Sequence, residues 1–163
     1  MPTIVNDYED TSLHSFQKTK IKGIKMNIEQ KLFEDAKALI KERYPKGWGG
    51  AAAMYSKNGK TYTSVAPEII NASSALCIET GSILEAHKYQ DIITHSICVV
   101  RDDEKSEFKI LTPCGTCQER LLYWGNQIKV GVTNEDQEVK YKKLTELQPN
   151  HWTKAYDDID FVE

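Results

Sequence analysis

Apolar side chains recur at helical spacing in residues 28–44, the first strongly patterned part of the chain. Asn27 is a suitable N-cap for a helix here, and the Tyr-Pro-Lys-Gly run at 44–47 supplies residues that commonly end one. The pattern therefore predicts an amphipathic helix over residues 28–44. Its apolar face is formed by Ile28, Leu32, Phe33, Ala36, Leu39 and Ile40.

Other stretches have the patterns of strands. Residues 49–55 are small and apolar, residues 61–65 are strand-like, and the Asn58-Gly59 pair between them is a strong hairpin signal. Residues 92–101 are rich in β-branched side chains and predict a buried strand. Shorter strands are predicted at 107–111 and 128–133, a further short run at 139–141 is compatible with a strand, and helices are predicted at 80–89, 115–124 and 144–147.

The order of these elements indicates the fold class. Helices alternating with a hairpin and single strands predict an α/β domain of three layers, α/β/α, around a mixed five-stranded sheet. Residues 1–25 are polar and weakly patterned, so we expect them to form an N-terminal extension. The domain itself is expected to cover residues 26–163, because Met26 followed by Asn27 looks like a natural start.

Composition limits the classes of protein that fit. A chain of 163 residues that is 40% hydrophobic and 28% charged fits one globular domain with a sizeable core. The net charge of −3 offers no basic groove for a polynucleotide strand, so no nucleic-acid partner is expected. No apolar run approaches the roughly 20 residues of a membrane span, and the N-terminus does not resemble a signal peptide. We therefore expect a soluble, cytoplasmic protein with no membrane partner.

Three cysteines suggest a metal site. Cys114 and Cys117 form a C-x-x-C pair after Pro113, at the change from a strand to a helix, where free backbone N–H groups stabilise thiolates. Cys77 also opens a predicted helix. Three thiolates leave one tetrahedral position free, which is typical of a catalytic zinc. Glu79, two residues after Cys77, is then close enough to move a proton on a water in that position.

Other interpretations of the same cysteines remain open. A structural zinc site would need a fourth ligand, such as His87 or His151. A redox C-x-x-C pair would use Cys114 and Cys117 without Cys77. Cys98 lies inside the predicted strand at 92–101 and is interpreted as a core thiol.

Cys77-x-Glu79 followed by Pro113-Cys114-x-x-Cys117 resembles the zinc signature of the cytidine deaminase superfamily. The similarity extends over about residues 27–152, and it is greatest to small homotetrameric cytidine deaminases and blasticidin-S deaminases. The resemblance implies that Cys77, Cys114 and Cys117 bind Zn²⁺. It also implies that Glu79 is the catalytic proton shuttle. The products would be a ring carbonyl and ammonia.

Some positions depart from the family pattern. Thr80 and Gln118 stand where the family commonly has arginines that offset the thiolate charge. Arg120, one turn beyond Cys117, is the nearby substitute. In the loop that binds the sugar, the family's asparagine is replaced by Ala66.

The resemblance also suggests substrate-binding residues. Glu68 is retained two residues after Ala66 and matches the family's ribose-binding glutamate. Trp48 stands where the family often has an aromatic residue near the sugar. Trp152 stands where a C-terminal aromatic residue often reaches the ring, in some members from a neighbouring subunit. Each of the three could instead be an ordinary surface or packing residue.

These features lead to a functional hypothesis. We expect a zinc-dependent hydrolytic deaminase of nucleoside metabolism, assembled as a homotetramer. Its substrate would be a small amino-pyrimidine, either cytidine or deoxycytidine-like or blasticidin-S-like. The alternative is a catalytically silent, zinc-stabilised binding module of the same fold. A thiol-disulfide enzyme is a third and weaker option.

Overall fold

A computed structural model describes residues 27–156, 159 and 161 of the chain. The N-terminal extension predicted at residues 1–25, and Met26 as the start of the domain, lie outside the described residues. Within the part described, no helix is long and apolar enough to cross a membrane.

The described residues form four α-helices and six strands. The helices are α1 (Ile28–Arg43), α2 (Thr80–Lys88), α3 (Gly115–Leu121) and α4 (Leu144–Leu147). The strands are β1 (Gly49–Ser56), β2 (Thr61–Ser64), β3 (Ile93–Arg101), β4 (Lys109–Leu111), β5 (Lys129–Gly131) and β6 (Tyr141–Lys143). Short 3-10 turns cover Ala72–Ser74, Leu122–Trp124 and Trp152–Ala155.

The first helix forms where the apolar spacing predicts it. The side chain of Asn27 accepts a hydrogen bond from the Gln30 backbone N–H at 2.7 Å and so caps the free amides of the first turn. Leu32, Ala36 and Ile40 are fully buried on the inward face. The prediction of an amphipathic helix is confirmed.

The sheet is mixed and has the strand order β2-β1-β3-β5-β6, with β4 also paired to β3. The β3–β5 pair is parallel and the other pairs are antiparallel. The sheet has six strands where five were predicted. The additional strand is β6, in which Tyr141 pairs with Gly131. Its three residues are too few for alternation to give a clear signal.

Helices cover both faces of the sheet, as the three-layer prediction requires. On one face α1 packs on alternate residues of β1 and β3, including Ala51, Ala53, Ile97 and Val99. On the other face α2 and α3 pack on Met54, with further contacts from the strands that follow. Because side chains alternate across a strand, β1 serves both cores at once.

A buried polar cluster fastens the β1–β2 hairpin to the segment between α2 and β3. Asp91 is 1% exposed, and its carboxylate accepts hydrogen bonds from the Tyr62 hydroxyl at 2.6 Å and from the Asn58 side-chain amide at 2.5 Å. Gly59 takes the positive φ of 84° that the turn requires. The Asn58-Gly59 hairpin prediction is confirmed, and Asn58 has a second role as a partner of Asp91.

Candidate functional site

The sulfur atoms of Cys77, Cys114 and Cys117 come together where α2 and α3 begin. Their three ligand atoms lie within 4.8 Å of one another. The Cys77 and Cys114 sulfurs are 3.3 Å apart, well beyond the roughly 2.05 Å of a disulfide bond, and all three cysteines are free. The structure thus brings together the three thiols that the sequence separates by up to 40 positions.

The donor set fits zinc. Tetrahedral coordination with Zn–S bonds of about 2.3 Å spaces two sulfurs about 3.8 Å apart, a distance this cluster accommodates with small adjustments. Within the described residues no histidine, aspartate or glutamate joins the three cysteines in a metal-binding group. His87 instead packs on the Tyr123 ring, and His151 bonds to Glu119 at 2.8 Å. Three thiolates without a fourth protein ligand leave a coordination position for another molecule.

Local hydrogen bonds fix the backbone around the cysteines. The Thr80 N–H donates to the Cys77 carbonyl at 3.0 Å, and the Gln118 N–H donates to the Cys114 carbonyl at 2.9 Å. The Gln118 side-chain amide donates to the Pro113 carbonyl at 2.7 Å. Gln118 therefore holds both residues that open the C-x-x-C turn.

The three thiols differ in acidity. Burial is the largest influence on Cys114, yet its pKa is lowered because hydrogen bonds from the Cys117 and Thr116 backbone and from the other two thiols outweigh it. The pKa of Cys77 is raised by its hydrogen bond to Cys114 and by burial. Burial, followed by the charge of Glu79, raises the pKa of the Cys117 thiol. Cys114 is therefore the most acidic of the three thiols.

Glu79 is a buried carboxylate beside the thiols. It is 5% exposed and lies at the N-cap position of α2, but its side chain makes no capping hydrogen bond. Among residues 27–156 no hydrogen bond involves its carboxylate. The carboxylate is therefore not tied to another side chain among these residues and is available to a molecule bound beside the thiols.

Arg120 reaches from α3 to the start of α2. Its Nη1 donates to Thr80 Oγ1 at 2.9 Å, and Thr80 directly follows Glu79. A positive charge is thus held at the junction of the two helix starts. Its role in balancing thiolate charge stays a prediction.

Trp48 lies next to the Cys77–Glu79 segment. A Cβ atom on Gly50 would stand 3.0 Å from the Trp48 ring and 2.7 Å from Ile78 Cδ1, so both side chains lie against this glycine. The indole is 52% exposed and packs edge-on to Tyr44. Trp48 is therefore near the residue that separates Cys77 from Glu79, with a free ring surface.

Glu68 and Trp152 are each paired with other side chains of the chain. Glu68 forms an exposed ion pair with Arg43 at 2.7 Å. Trp152 donates to Glu119 at 3.3 Å and packs on Tyr156. Because Glu119 follows Cys117 by two positions, it projects from roughly the opposite side of α3. The roles predicted for Glu68, Trp48 and Trp152 in substrate binding stay predictions.

Two residues of the site were not singled out from the sequence. Gly50 was interpreted only as part of a strand, although its missing side chain lets Trp48 and Ile78 approach each other. Gln118 was noted for the arginine it replaces, and its bond to Pro113 was not expected. A glycine next to a strand start is a weak signal of close approach, whereas the Gln118 contact has no signal in the sequence.

Comparison with solved structures places the chain among deaminases. The crystal structure of the cytidine deaminase from Bacillus anthracis is 58% identical in sequence and has a TM-score of 0.80. The match covers 81% of this chain and 94% of that one. No protein-family model matches the chain, and no curated protein does.

More distant structures share the fold. The cytidine deaminase from Mycobacterium leprae is 21% identical with a TM-score of 0.59, and the match covers 77% of this chain and all of that one. The cytidine deaminase from Burkholderia pseudomallei is 19% identical with a TM-score of 0.61, with coverage of 78% and 100%. At these identities the likeness shows the architecture alone.

Proposed function

The chain belongs to the cytidine deaminase family and is a zinc-dependent hydrolytic deaminase, and on that premise we propose that it acts on a small amino-pyrimidine. The substrate would be a cytidine or deoxycytidine-like nucleoside or a blasticidin-S-like compound. Cys77, Cys114 and Cys117 would hold the zinc ion, and Glu79 would be the catalytic acid and base. The products would be the corresponding keto compound and ammonia.

One observation carries the proposal. Within residues 27–156, a largely buried carboxylate that makes no hydrogen bond lies beside three free thiols that can bind metal but leave a coordination position open. A purely structural zinc site would be closed by a fourth protein ligand. It would also have no need of an unpartnered buried acid.

The chemistry follows from these groups. When bound, zinc lowers the pKa of a water molecule towards about 7, so that hydroxide is available at neutral pH. Glu79 would take the proton of the attacking water and deliver it to the ring nitrogen. It would then transfer the second proton to the departing amine, which leaves as ammonia. Proton transfer by a carboxyl group is efficient only at hydrogen-bond distance from the substrate. Burial suits this role because it holds the Glu79 side chain in a fixed position.

The group attached to the ring is a separate question. Ala66 replaces the family's asparagine, so the ribose would lose one of its two polar contacts. Glu68 would provide the other polar contact, after its ion pair with Arg43 is broken and the carboxylate binds the substrate. Trp48 would stack near the sugar, and Trp152 would reach the ring. We propose that this altered loop favours a substrate other than unmodified cytidine.

We also propose that the protein is a homotetramer in the cytoplasm. Large apolar side chains remain exposed on the single chain, and a neighbouring subunit would cover some of them. The half-exposed Trp152 is a candidate to complete a neighbour's site. A cytoplasmic location suits a site built from three free thiols, because thiols stay reduced there.

The decisive experiment combines metal analysis with an activity assay. Purified protein should contain about one zinc per chain. It should release ammonia from at least one of cytidine, deoxycytidine, cytosine and blasticidin S, with loss of the cytosine ultraviolet band. Aminopurines complete the panel as compounds outside the proposed substrate class. Glu79→Gln should keep the zinc and lose about 10²- to 10⁴-fold in kcat, the range of a lost general acid and base.

Glu85→Gln is the matched control because Glu85 is an exposed acid on the same helix. It should retain full activity. Activity that survives Glu79→Gln would contradict the mechanism. Zinc binding without turnover of any compound would favour the silent binding module. Insulin reduction that persists without Cys77 would instead indicate a thiol-disulfide enzyme.

A further inference from the structure

Ser64 contacts the backbone between a metal-binding cysteine and the catalytic glutamate. It is the last residue of β2, and its Oγ donates a hydrogen bond to the Ile78 carbonyl at 2.6 Å. Ile78 is the residue between Cys77 and Glu79. The bond therefore joins an outside strand to the peptide that links the two functional side chains.

Ser82 supports Ser64 from the other side. Ser82 is fully buried in α2, and its Oγ donates to Ser64 Oγ at 2.8 Å. The two hydroxyls form a directed chain, in which Ser82 donates to Ser64 and Ser64 donates to the Ile78 carbonyl. Ser64 donates its single hydroxyl proton to the Ile78 carbonyl, so it can only accept the bond from Ser82. The two bonds together fix the orientation of the Ser64 hydroxyl.

The close approach of α2 to β2 is required for this chain. A Cβ atom on Gly81 would lie 2.8 Å from Ser64 Cβ, which is closer than real Cβ atoms come. Glycine at this position therefore lets the helix settle against the strand. Gly81 and Ser82 are adjacent, so one supplies the space and the other the hydrogen bond.

The Ile78 carbonyl depends on Ser64 for its partner. At this turn the Thr80 N–H donates to Cys77, and the Ile83 N–H donates to Glu79. Among the hydrogen bonds of residues 27–156, Ser64 is the one donor to the Ile78 carbonyl. Without it, the peptide between Ile78 and Glu79 would lose its polar restraint.

We propose that Ser64, held by Ser82, is a positioning residue that sets the relative orientation of the Cys77 sulfur and the Glu79 carboxylate. This inference rests on the proposed roles of those two residues. Fixing the Ile78 carbonyl fixes the peptide plane that leads into Glu79. Rotation of that plane would move the acid relative to the metal, and outer partners that hold ligands in place typically affect metal affinity or activity 10- to 100-fold.

The test compares Ser64→Ala, Ser82→Ala and the double variant with Ser56→Ala. Ser56 is the matched control because it is a fully buried serine of β1 whose Oγ accepts from the Lys60 N–H, at the hairpin end of the strand. Four properties are measured: kcat and KM, the rate of zinc release to a chromogenic chelator, the visible spectrum of the Co²⁺-substituted protein, and Tm.

Ser64→Ala should lower kcat about tenfold with KM unchanged, accelerate zinc release by a similar factor and shift the Co²⁺ bands. Ser82→Ala should have a smaller effect in the same direction. Because the hydroxyls act in series, the double variant should match Ser64→Ala. Ser56→Ala should lower Tm without altering zinc release or the Co²⁺ spectrum.

Several outcomes would overturn the inference. Ser64→Ala with unchanged zinc release and Co²⁺ spectrum would show that the bond only ties β2 to α2. Equal changes in Ser56→Ala would show that any buried serine has this effect. Additive losses in the double variant would show that the hydroxyls act independently.

The wild-type protein separates this inference from the proposed function. Wild type that binds no metal would overturn both. Wild type that binds zinc but deaminates no compound would overturn the proposed function alone, because zinc release and the Co²⁺ spectrum still report on Ser64. Wild type that binds zinc and is active, with an unaffected Ser64→Ala variant, would overturn the inference alone.

Discussion

Arg120 is the candidate for a role that the family gives to arginines at other positions. The family's usual arginines are absent at Thr80 and Gln118, and three thiolates with Glu79 carry more negative charge than one zinc ion neutralises. The guanidinium of Arg120 donates to Thr80 Oγ1 and so stands at the start of α2. A charged, planar group fixed there is suited to stabilise the anionic site.

Removal of this charge should weaken metal binding. We expect Arg120→Gln to release zinc about tenfold faster than wild type, as measured with a chromogenic chelator at fixed pH. Arg120→Lys should have an intermediate rate, because it keeps the charge and loses the geometry. Arg43→Gln removes an exposed arginine and should leave the rate unchanged. Equal rates for Arg120→Gln and wild type would refute the compensating role.

At the scale of elements, the buried Asp91 cluster ties the β1–β2 hairpin to the start of β3. The hydrogen bond from Tyr62 lowers the pKa of Asp91, outweighing burial, and Asn58 adds to the effect. Burial, followed by Asp91, raises the pKa of Tyr62 to about 12. The fold therefore favours the ionised carboxylate of Asp91 and the neutral phenol of Tyr62.

The pH dependence of stability should reflect both groups. A lowered folded-state pKa means that Asp91 stabilises the fold above the ordinary value of about 3.9, and this contribution is lost as pH falls through the folded-state pKa. Tyr62 contributes fully below about pH 10, and its contribution is lost as pH rises towards 12. Urea unfolding of wild type across pH 3–11 should show both losses.

Tyr62→Phe tests this assignment. It should cost about 1–3 kcal/mol at neutral pH, because Asp91 loses a buried partner. It should also reduce the loss of stability above about pH 10, to which the partly buried Tyr141 also contributes, and reduce the loss below about pH 4. Tyr123→Phe alters a half-exposed tyrosine and should reproduce the wild-type profile. An unchanged alkaline limb in Tyr62→Phe would contradict the assignment.

The packing of β5 on β3 depends on a glycine. A Cβ atom on Gly131 would lie 2.7 Å from Ile97 Cγ1 and 3.3 Å from Ile110 Cγ2. Gly131→Ala should therefore lower the free energy of unfolding by about 1–3 kcal/mol, the usual cost of overpacking. Gly115→Ala is the control, because its Cβ would meet nothing within 4 Å. A Gly131→Ala protein as stable as wild type would show that Ile97 and Ile110 can move to accommodate the added methyl group.

Local sequence signals predicted most elements because several of them agreed at each place. The α1 helix had an N-cap, an apolar face and a terminating Pro-Gly run, and the hairpin had Asn58-Gly59 between two strand-like runs. The sixth strand was not counted because three residues give little periodicity. Pairing with β5 forms β6, and that is a tertiary effect that no local pattern records.

At the scale of the whole molecule, the fold assembles a site from residues far apart in sequence. Residue type and spacing identified Cys77, Glu79, Cys114 and Cys117, because zinc chemistry restricts which side chains can serve. The contacts of Gly50, Gln118, Ser64 and Ser82 were not predictable. The contacts of Gly50, Ser64 and Ser82 depend on how closely α2 and the residues before it approach the sheet, and nothing local in the sequence encodes that distance. The bond from Gln118 to Pro113 is local, but no sequence pattern marks it.

The domain boundary can be tested directly. We propose that residues 26–163 form the deaminase domain and that residues 1–25 are an extension. A protein beginning at Met26 should therefore fold with the Tm, zinc content and kcat of the full chain. The capped first turn of α1 at Asn27 supports this boundary. Loss of zinc or a markedly lower Tm in the shortened protein would place residues 1–25 within the domain.

Because the Cys77 and Cys114 sulfurs are close together, a bound metal ion would prevent them from forming a disulfide bond. At 3.3 Å they need only a small movement to reach bonding distance. If zinc were lost in the presence of peroxide, two protons and two electrons would leave the pair, and a covalent bridge would join the starts of α2 and α3. The bridged sulfurs could no longer accept an ion. Loss of the metal in the presence of peroxide would then be irreversible until a reductant broke the bridge.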